Sequence, residues 1–345
     1  MSEMTSPMLT IVVPTYNRAG SLELLLRTLR HEIQGLEQDV RIIVSDNAST
    51  DRTRLLLSDM LVEWPTLHVR RNETNLGADG NFLACIKEVS SRYCWFISDD
   101  DLPKPGVVQR VFALLKEIRP KLVYLQSEWV APLTSNTQGE PVPHITAHVM
   151  DGLSFVKRVH TWLTFISGVI FDRQALEEAL EGEPIDRFTG TSLVQLGWIL
   201  PLARLKSGRF VIVSQRCILA TKGNTGGYPL LTVFGTRLTE IARAALGNDS
   251  PLARALVRGN LLGYLPLLIW AARTSSIGRH DAENPWPALR RSLHGHPVYW
   301  ILLVPLGRFP RWAAFLAFQL WRVYFRVVRA LQQWLHPRGQ FVRHF

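Results

Sequence analysis

The chain has 345 residues, 47% of them hydrophobic and eleven of them tryptophan, and a formal net charge of +10. That length and apolar content exclude a disordered or fibrous chain and allow one large or two modest domains. The positive balance favours acidic partners: phosphates, nucleotides, nucleic acid or anionic lipid. Cys85, Cys94 and Cys217 lie far apart, with no metal-ligand spacing. Buried free thiols in a reducing compartment are expected. Residues 1–8 lack the basic start and apolar centre of a signal peptide, and no stretch is expected to reach the length of a clean membrane span.

Residues 9–13 form a β-branched run that predicts a strand, broken by the loop Pro14-Thr15-Tyr16-Asn17-Arg18. Ser21 is placed to cap a helix whose apolar side carries Leu22, Leu25, Leu26 and Leu29. Residues 40–44 predict a second strand. It ends in Ser45-Asp46-Asn47-Ala48-Ser49-Thr50-Asp51, small polar residues that turn the chain and cap a helix from Asp51 onward. A short strand at 67–70, a turn at Asn75-Leu76-Gly77 and a helix over 81–89 follow. Then the apolar run Tyr93-Cys94-Trp95-Phe96-Ile97 stops at Ser98-Asp99-Asp100-Asp101. The run predicts a strand buried on both faces. Three adjacent carboxylates at its end read in two ways. They are a solvated acidic turn ahead of Pro103 and Pro105, or a site where a divalent cation and a phosphate relieve the repulsion.

Strand, loop and helix in repetition predict an α/β fold with a mostly parallel sheet, in which ligands bind beyond the carboxyl ends of the strands. The polar clusters 14–18, 46–51 and 98–101 all fall at such ends, which favours the ligand reading of the aspartates. Neither a G-x-G-x-x-G nor a G-x-x-x-x-G-K-[ST] loop is present, disfavouring a dinucleotide oxidoreductase and a P-loop kinase or ATPase.

Further on, the pattern predicts a helix at 107–118, a strand at 121–125, a loop over 132–148, an apolar strand at 164–171, a helix at 172–181 and a strand at 210–213. The stretch 221–228, which holds Lys222 and Asn224, is glycine-rich and basic and reads as a flexible loop. Residues 230–275 predict two helices broken near 247–251. Glu283 is the last acid; residues 284–345 hold nine arginines and no carboxylate. Within 311–335, Gln319, Arg322, Arg326, Arg329 and Gln333 share one narrow helical face. Phe315, Phe318, Trp321, Tyr324, Phe325, Val328, Leu331 and Trp334 lie around it. A wide apolar face with a basic stripe predicts a helix lying in a membrane surface; docking on the chain's own domain is the competing reading.

Val13-Pro14-Thr15-Tyr16-Asn17-Arg18, Val44-Ser45-Asp46-Asn47-Ala48-Ser49-Thr50-Asp51, Asn75-Leu76-Gly77 and Ser98-Asp99-Asp100-Asp101, in this order and spacing, resemble the family 2 glycosyltransferases of the GT-A fold. Arg70-Arg71-Asn72, Asn81-Phe82-Leu83 and Gly190-Thr191-Ser192 resemble the abequosyltransferase-like branch that builds bacterial O-antigens. The resemblance is strong over residues 9–105 and weaker to 220. It implies a GT-A-type, mostly parallel sheet flanked by helices, followed by an α-helical C-terminal region with an amphipathic membrane-associating helix. The implied division is a glycosyltransferase domain over 1–228, with a nucleotide-sugar half to 105 and an acceptor half from 106, and a basic helical region over 229–345.

The resemblance also assigns roles. Pro14, Thr15, Tyr16 and Arg18 would line the base and phosphate region. Asp46 would accept from the base N–H, leaving Asp51 as a helix cap, and Asn75 and Gly77 would lie beside the ribose and phosphates. The aspartates match the D-x-D type motif. Asp99 and Asp101 are the preferred ligands for Mg²⁺ or Mn²⁺, and Asp99 and Asp100 are counted with the donor site. Many relatives carry the first acid at the position of Ser98, so the register of the triplet differs here. The common Glu-Asp pair of the acceptor side is replaced by Gly190-Thr191-Ser192. The nearest upstream acid, Asp186, is then the candidate general base for an inverting transfer.

A nucleotide-sugar donor, a polyprenyl-diphosphate-linked saccharide acceptor and an anionic membrane surface are the implied partners, with no nucleic acid. The implied location is peripheral or monotopic on the cytoplasmic face of the bacterial inner membrane. A nucleotidyltransferase is one alternative, disfavoured because 14–18 is not a lysine- and glycine-rich nucleotide loop. A non-catalytic nucleotide- or nucleic-acid-binding protein is the other, disfavoured because the tail is more apolar than basic.

Overall fold

The computed structural model describes residues 6–134, 137, 139–222, 227–274, 284–335 and 341–345, with the backbone alone for 328–335 and 341. Asn224 and the side chains of Val328, Arg329, Leu331, Gln333 and Trp334 lie outside the described residues. The first part alternates strand and helix: β1 (Leu9–Thr15), α1 (Ala19–Glu32), β2 (Val40–Asp46), α2 (Thr53–Glu63), β3 (His68–Arg71), α3 (Gly77–Glu88) and β4 (Tyr93–Phe96). Next come β5 (Leu102–Pro103), α4 (Val107–Ile118), β6 (Leu122–Val130), β7 (Thr146–Met150), α5 (Gly152–Val159), β8 (Val169–Asp172), α6 (Leu176–Leu180), α7 (Leu196–Arg204) and β9 (Phe210–Thr221). The last part holds α8 (Leu238–Leu246), α9 (Pro251–Gly263), α10 (Leu265–Thr274), α11 (Trp286–Leu293), α12 (Val304–Arg308), α13 (Arg311–Leu335) and β10 (Phe341–His344).

One sheet runs in the order β10-β7-β9-β6-β8-β4-β1-β2-β3, with β5 paired to β9. Strands β4, β1, β2 and β3 are parallel, as the sequence pattern requires. The second half is mixed: β8 runs antiparallel between β4 and β6, β6 and β9 are parallel, and β7 and β10 close the edge antiparallel. Every residue of β1 and β4 is buried. Hydrophobic cores on the two sides of the sheet account for the unbroken apolar runs.

Three local expectations are corrected. Helix α1 starts at Ala19, ahead of Ser21, because its N-terminus is capped from another loop: the Ala19 N–H donates to Asp51 Oδ2 at 3.2 Å, while Ser21 lies inside the helix and donates to the Arg18 carbonyl. Of the strand expected over 164–171 only the end forms, as β8; residues 160–164 and 166–168 are 3-10 turns. Gly168 passes so close to β6 that an added Cβ would sit 3.0 Å from the Leu125 carbonyl oxygen. The helix expected from Asp172 begins at Leu176, since Asp172 is buried as the shared ion-pair partner of Arg92 and Lys121. Strand β10, which carries no strong strand signal, pairs with β7 and brings the end of the chain back to the sheet.

Contrary to the expectation of no clean span, the stretch Pro251–Thr274 is long and apolar enough to cross a membrane, although 44% of its most apolar part is buried against the rest of the chain. Within it, Asn260 donates to the Phe234 carbonyl and accepts from Thr161 Oγ1. Helix α13 docks through Ala314, Phe318 and Trp321, at spacings that keep one side inward. Phe318 stacks on Trp270 at 4.7 Å, and Trp321 Nε1 donates to the Leu262 carbonyl at 2.7 Å. The opposite side leaves Trp312, Leu316, Leu320, Val323 and Val327 exposed, with exposed Arg322 and Arg326 along its edge. The docked reading of this helix therefore holds for its inner side.

Glu32, in the last turn of α1, is buried and accepts from the N–H groups of Gly106 at 2.8 Å and Val108 at 3.2 Å. It caps α4, whose own N-cap position is Gly106 in the left-handed region. Glu32→Ala strands both donors and is expected to cost about 1–3 kcal/mol of stability, read by urea unfolding. Glu32→Gln keeps one acceptor oxygen and is expected to cost less; equal stability of the alanine variant and wild type would remove the capping role.

Candidate active site

The apolar strand β4 delivers Ser98 to Asp101 at the carboxyl edge of the sheet, where the chain folds into a turn closed by Asp101 N–H donating to the Ser98 carbonyl at 3.0 Å. Asp99 and Asp101 are buried. Asp99 accepts from Thr15 Oγ1 at 2.7 Å and from Arg18 Nη1 at 3.2 Å. Asp100 pairs with the same guanidinium at 2.8 Å and accepts from Ser98 Oγ at 2.5 Å. Asp101 accepts from Ser167 Oγ at 2.6 Å and from the Thr221 N–H at 3.2 Å; Thr221 Oγ1 donates to the Asp100 carbonyl at 2.7 Å. Burial pushes Asp99 up to about 6 against the pull of Arg18 and Thr15. Burial likewise pushes Asp101 up to about 7 against the hydrogen bond from Ser167. Burial would lower Arg18, but Asp99 and Asp100 outweigh it and hold the guanidinium up.

One guanidinium thus pairs with Asp99 and Asp100, and the two buried acids, Asp99 and Asp101, lie above the usual carboxylate range. The donors are all oxygen, the type that Mg²⁺ or Mn²⁺ takes. Among the described residues no group of three His, Cys, Asp or Glu side chains is arranged to hold a metal. A cation at this turn would therefore need ligand oxygens, such as those of a diphosphate, to complete its shell.

The loops at the ends of β1 and β2 are bolted together beside this turn. Asn17 is in the left-handed region. Its Oδ1 accepts from the Thr50 N–H at 2.7 Å, and its own N–H donates to Ser49 Oγ. Pro14 and Thr15 lie in register with Ser45 and Asp46, and Tyr16 stands exposed on the rim. Asp46 is buried at the end of β2, accepting from the Ser49 N–H at 2.9 Å and ion-paired to Arg71. A hollow of about 100 Å³ opens beside that pair, lined by Asp46, Arg54, Leu57, Leu61 and Arg71. Asn75 and Gly77 are exposed, and both belong to a network centred on Asn47. Asn47 Nδ2 donates to Asn75 Oδ1 at 2.8 Å and to the Gly77 carbonyl, while its Oδ1 accepts from Asn72 and from the Leu76 N–H. Gly77 adopts a positive φ of 71°.

The structure brings Thr15 and Arg18 into contact with Asp99 and Arg18 with Asp100, in the turn that also holds Asp101, and sets Pro14, Tyr16, Asp46, Asn75 and Gly77 on the adjoining strand ends. Asp186 is not in that contact network. It lies in an exposed turn, where its backbone carbonyl accepts from Thr189, and its carboxylate has no hydrogen bond or ion pair among the described residues. The next residues reach the donor half through Asp79 on α3, whose Oδ2 accepts from the N–H groups of Gly190 at 2.8 Å and Ser192 at 3.0 Å. Ser167, Thr221, Asn47 and Asp79 were not singled out in the sequence. A lone serine before a glycine in an apolar run was the available signal for Ser167; Thr221 and Asp79 find their partners more than a hundred residues away.

Residues 10–161 match the model of Glycosyl transferase family 2. It is 39% identical over 107 residues to the abequosyltransferase RfbV of Salmonella typhimurium, a match covering 29% of this chain and 30% of RfbV. It is 28% identical over 96 residues to the GalNAc(5)-diNAcBac-PP-undecaprenol beta-1,3-glucosyltransferase of Campylobacter jejuni, covering 28% of this chain and 30% of that protein. The matched stretches thus span under a third of both relatives. In fold, the chain resembles S. aureus TarS 1–349 with a TM-score of 0.59 at 17% identity, over 92% of this chain and 91% of that one; the same protein with UDP-GlcNAc gives 0.54.

Asn47 makes four hydrogen bonds that order the 72–77 turn. Asn47→Ala is expected to destabilise the chain by about 2–3 kcal/mol in urea unfolding. Asn47→Asp keeps the two accepting contacts and should fall between that variant and wild type. A loss below about 0.5 kcal/mol for the alanine variant would show that the network does not order the turn.

Proposed function

We propose that this chain is a metal-dependent, inverting glycosyltransferase. It moves a sugar from a nucleoside-diphosphate donor to a polyprenyl-diphosphate-linked saccharide in bacterial surface polysaccharide synthesis. The observation that carries this reading is the convergence at one sheet edge of the 98–101 acid turn, Thr15 and Arg18, and the 46–51 loop, within the stretch that matches the family model. The undecaprenol diphosphate in the name of the Campylobacter relative supports the acceptor class. The division into a transferase part over 1–228 and a membrane-facing part over 229–345 belongs to the same proposal.

Asp99 and Asp101 would hold Mg²⁺ or Mn²⁺, which when bound supplies positive charge to the leaving diphosphate. Arg18 sits where it can turn from Asp99 and Asp100 to a phosphate, since the guanidinium is a bidentate partner for both kinds of anion. Pro14 and Tyr16 shape the base region, Asp46 is the acceptor for a base N–H, and Asn75 and Gly77 border the ribose. Asp186 is assigned as the general base: its carboxylate is uncommitted, and its turn runs into the 190–192 segment tied to the donor half by Asp79.

The membrane part rests on α13. Its outward side presents Trp312, Leu316, Leu320, Val323 and Val327 with Arg322 and Arg326, in a stretch that holds no carboxylate. An apolar face edged by arginine is complementary to an anionic bilayer, and we assign that surface, on the cytoplasmic face of the inner membrane, as its partner.

In a thermal-shift panel of UDP-, CDP-, dTDP- and GDP-sugars with Mn²⁺, at least one donor is expected to raise the melting temperature. Asp101→Ala should abolish its metal-dependent hydrolysis. Asp186→Asn should still bind the donor and lose transfer to acceptor. No shift with any donor sinks the donor assignment, and wild-type transfer by Asp186→Asn removes it as base. On vesicles containing anionic lipid, Arg322→Gln with Arg326→Gln is expected to bind roughly thirtyfold more weakly, at about 1 kcal/mol for each arginine. Unchanged partition would exclude α13 as the contact.

A further inference from the structure

Among the described residues ahead of Leu230, only two Phe, Tyr or Trp side chains are exposed: Tyr16 at 41% and Trp129 at 40%. Tyr16 belongs to the loop already assigned to the donor. Trp129 has no role so far. It is the penultimate residue of β6, paired with Ala220 on β9, and its neighbour Val130 is paired with Thr221. Thr221 is the residue whose N–H and Oγ1 hold Asp101 and Asp100. The backbone of Trp129 therefore stands one strand spacing, about 5 Å, from the segment that fixes the acid turn.

The indole is held by other rings. Phe165 packs against it at 5.3 Å between centroids and Trp162 at 6.0 Å, and Trp162 in turn meets Tyr264 edge-on at 5.7 Å. Phe165 lies two residues before Ser167, the donor to Asp101 Oδ2. The aromatic wall and the acid turn are thus anchored by the same two segments, 165–167 and 220–221. A single exposed tryptophan ordinarily needs no explanation. Here the ring is immobilised by its neighbours, so little side-chain freedom remains to be lost on binding. It also stands on the acceptor-side strands and not on the β1–β2 loops.

A pyranose has an apolar face of C–H groups carrying slight positive charge, which suits the negative face of an aromatic ring, while its hydroxyls stay free for polar partners. We propose that Trp129, backed by Phe165 and Trp162, is the platform of a saccharide subsite that stacks the acceptor's terminal sugar beside the acid turn. The acceptor role rests on the glycosyl-transfer reading; the saccharide site itself does not.

The test uses the full chain without donor. Methyl glycosides of a hexose, a 6-deoxyhexose and an N-acetylhexosamine are titrated by saturation-transfer NMR, with undecaprenyl phosphate in detergent as a separate probe. At least one glycoside is expected to bind. Trp129→Ala should weaken it by about tenfold or more, and Trp129→Phe, which keeps a π face, should retain most of the affinity. The melting temperature of each variant, alone and with nucleotide-sugar, should match wild type, reporting that the fold and donor site are intact. The subsite is overturned if no glycoside binds wild type, if Trp129→Ala binds glycosides as wild type does, or if the substitution affects only the prenyl probe. Failure of every nucleotide-sugar to bind would instead overturn the transfer reading, and the glycoside titration would still decide the subsite.

Discussion

Three carboxylates in one turn at the edge of a buried sheet are the constraint around which this molecule is arranged. Burial disfavours the charged forms of Asp99 and Asp101, and adjacent carboxylates repel one another, so the turn must be held by partners. The chain meets this with partners drawn from three separate segments. Thr15 and Arg18 come from the loop after β1, Ser167 from the 3-10 turns before β8, and Thr221 from the end of β9. Those segments are the elements that a substrate between donor and acceptor sides would touch. The same contacts that make the acid turn tolerable in the folded state therefore position the walls of the site.

Beside the acid turn the structure depends on amide side chains. Asn17 links the loops after β1 and β2, and Asn47 links the end of β2 to the 72–77 turn. An amide donates and accepts together, so one residue can bridge two backbones whose groups would otherwise be unpaired. This rigidity matters for function, because a diphosphate site built without a glycine-rich cradle relies on side chains held at fixed places. It also explains why Asn17 and Ala48 tolerate a positive φ: the surrounding hydrogen bonds hold the loops that contain them.

How much of this was legible in the sequence follows from the range of each interaction. The parallel core, with its polar clusters at strand ends, could be read because strand periodicity and turn chemistry are local. The acid turn at 98–101 was legible for the same reason, as was Asp51 as a cap; Thr15 and Arg18 were singled out by the resemblance, and both lie against that turn. What escaped was set by partners distant in the chain. Helix α1 starts at Ala19 because a carboxylate 32 residues on caps it. The apolar run at 164–171 bends into 3-10 turns because Gly168 must pass β6 and Ser167 must reach Asp101. Strand β10 exists because the edge of β7 is available to pair. Asp186 was chosen by proximity in sequence to a missing motif, and the structure leaves it exposed, outside the network of the acid turn.

Helix α13 connects these observations. Its inner stripe is locked to α9 and α10 by the Trp270–Phe318 stack and the Trp321 hydrogen bond to Leu262. Helix α9 meets the 3-10 turns: Asn260 accepts from Thr161, and His160 lies so close to Gly259 that a Cβ there would be 2.5 Å from it. Just beyond α9, Tyr264 packs against Trp162. The turns then lead through Phe165 to Ser167 and Asp101. A packed path with no loop between its members thus runs from the amphipathic helix to the acid turn. Dense packing of this kind transmits position faithfully. If the outer face of α13 lies in a bilayer surface, the height and tilt of the catalytic turn above that surface are fixed by the core itself. A saccharide carried on a lipid has its reacting sugar at a set distance from the membrane, so a site fixed in this way meets its acceptor without a search by a mobile domain. The docked face of α13 and its exposed face then serve a single end, one setting the distance and the other the surface from which it is measured.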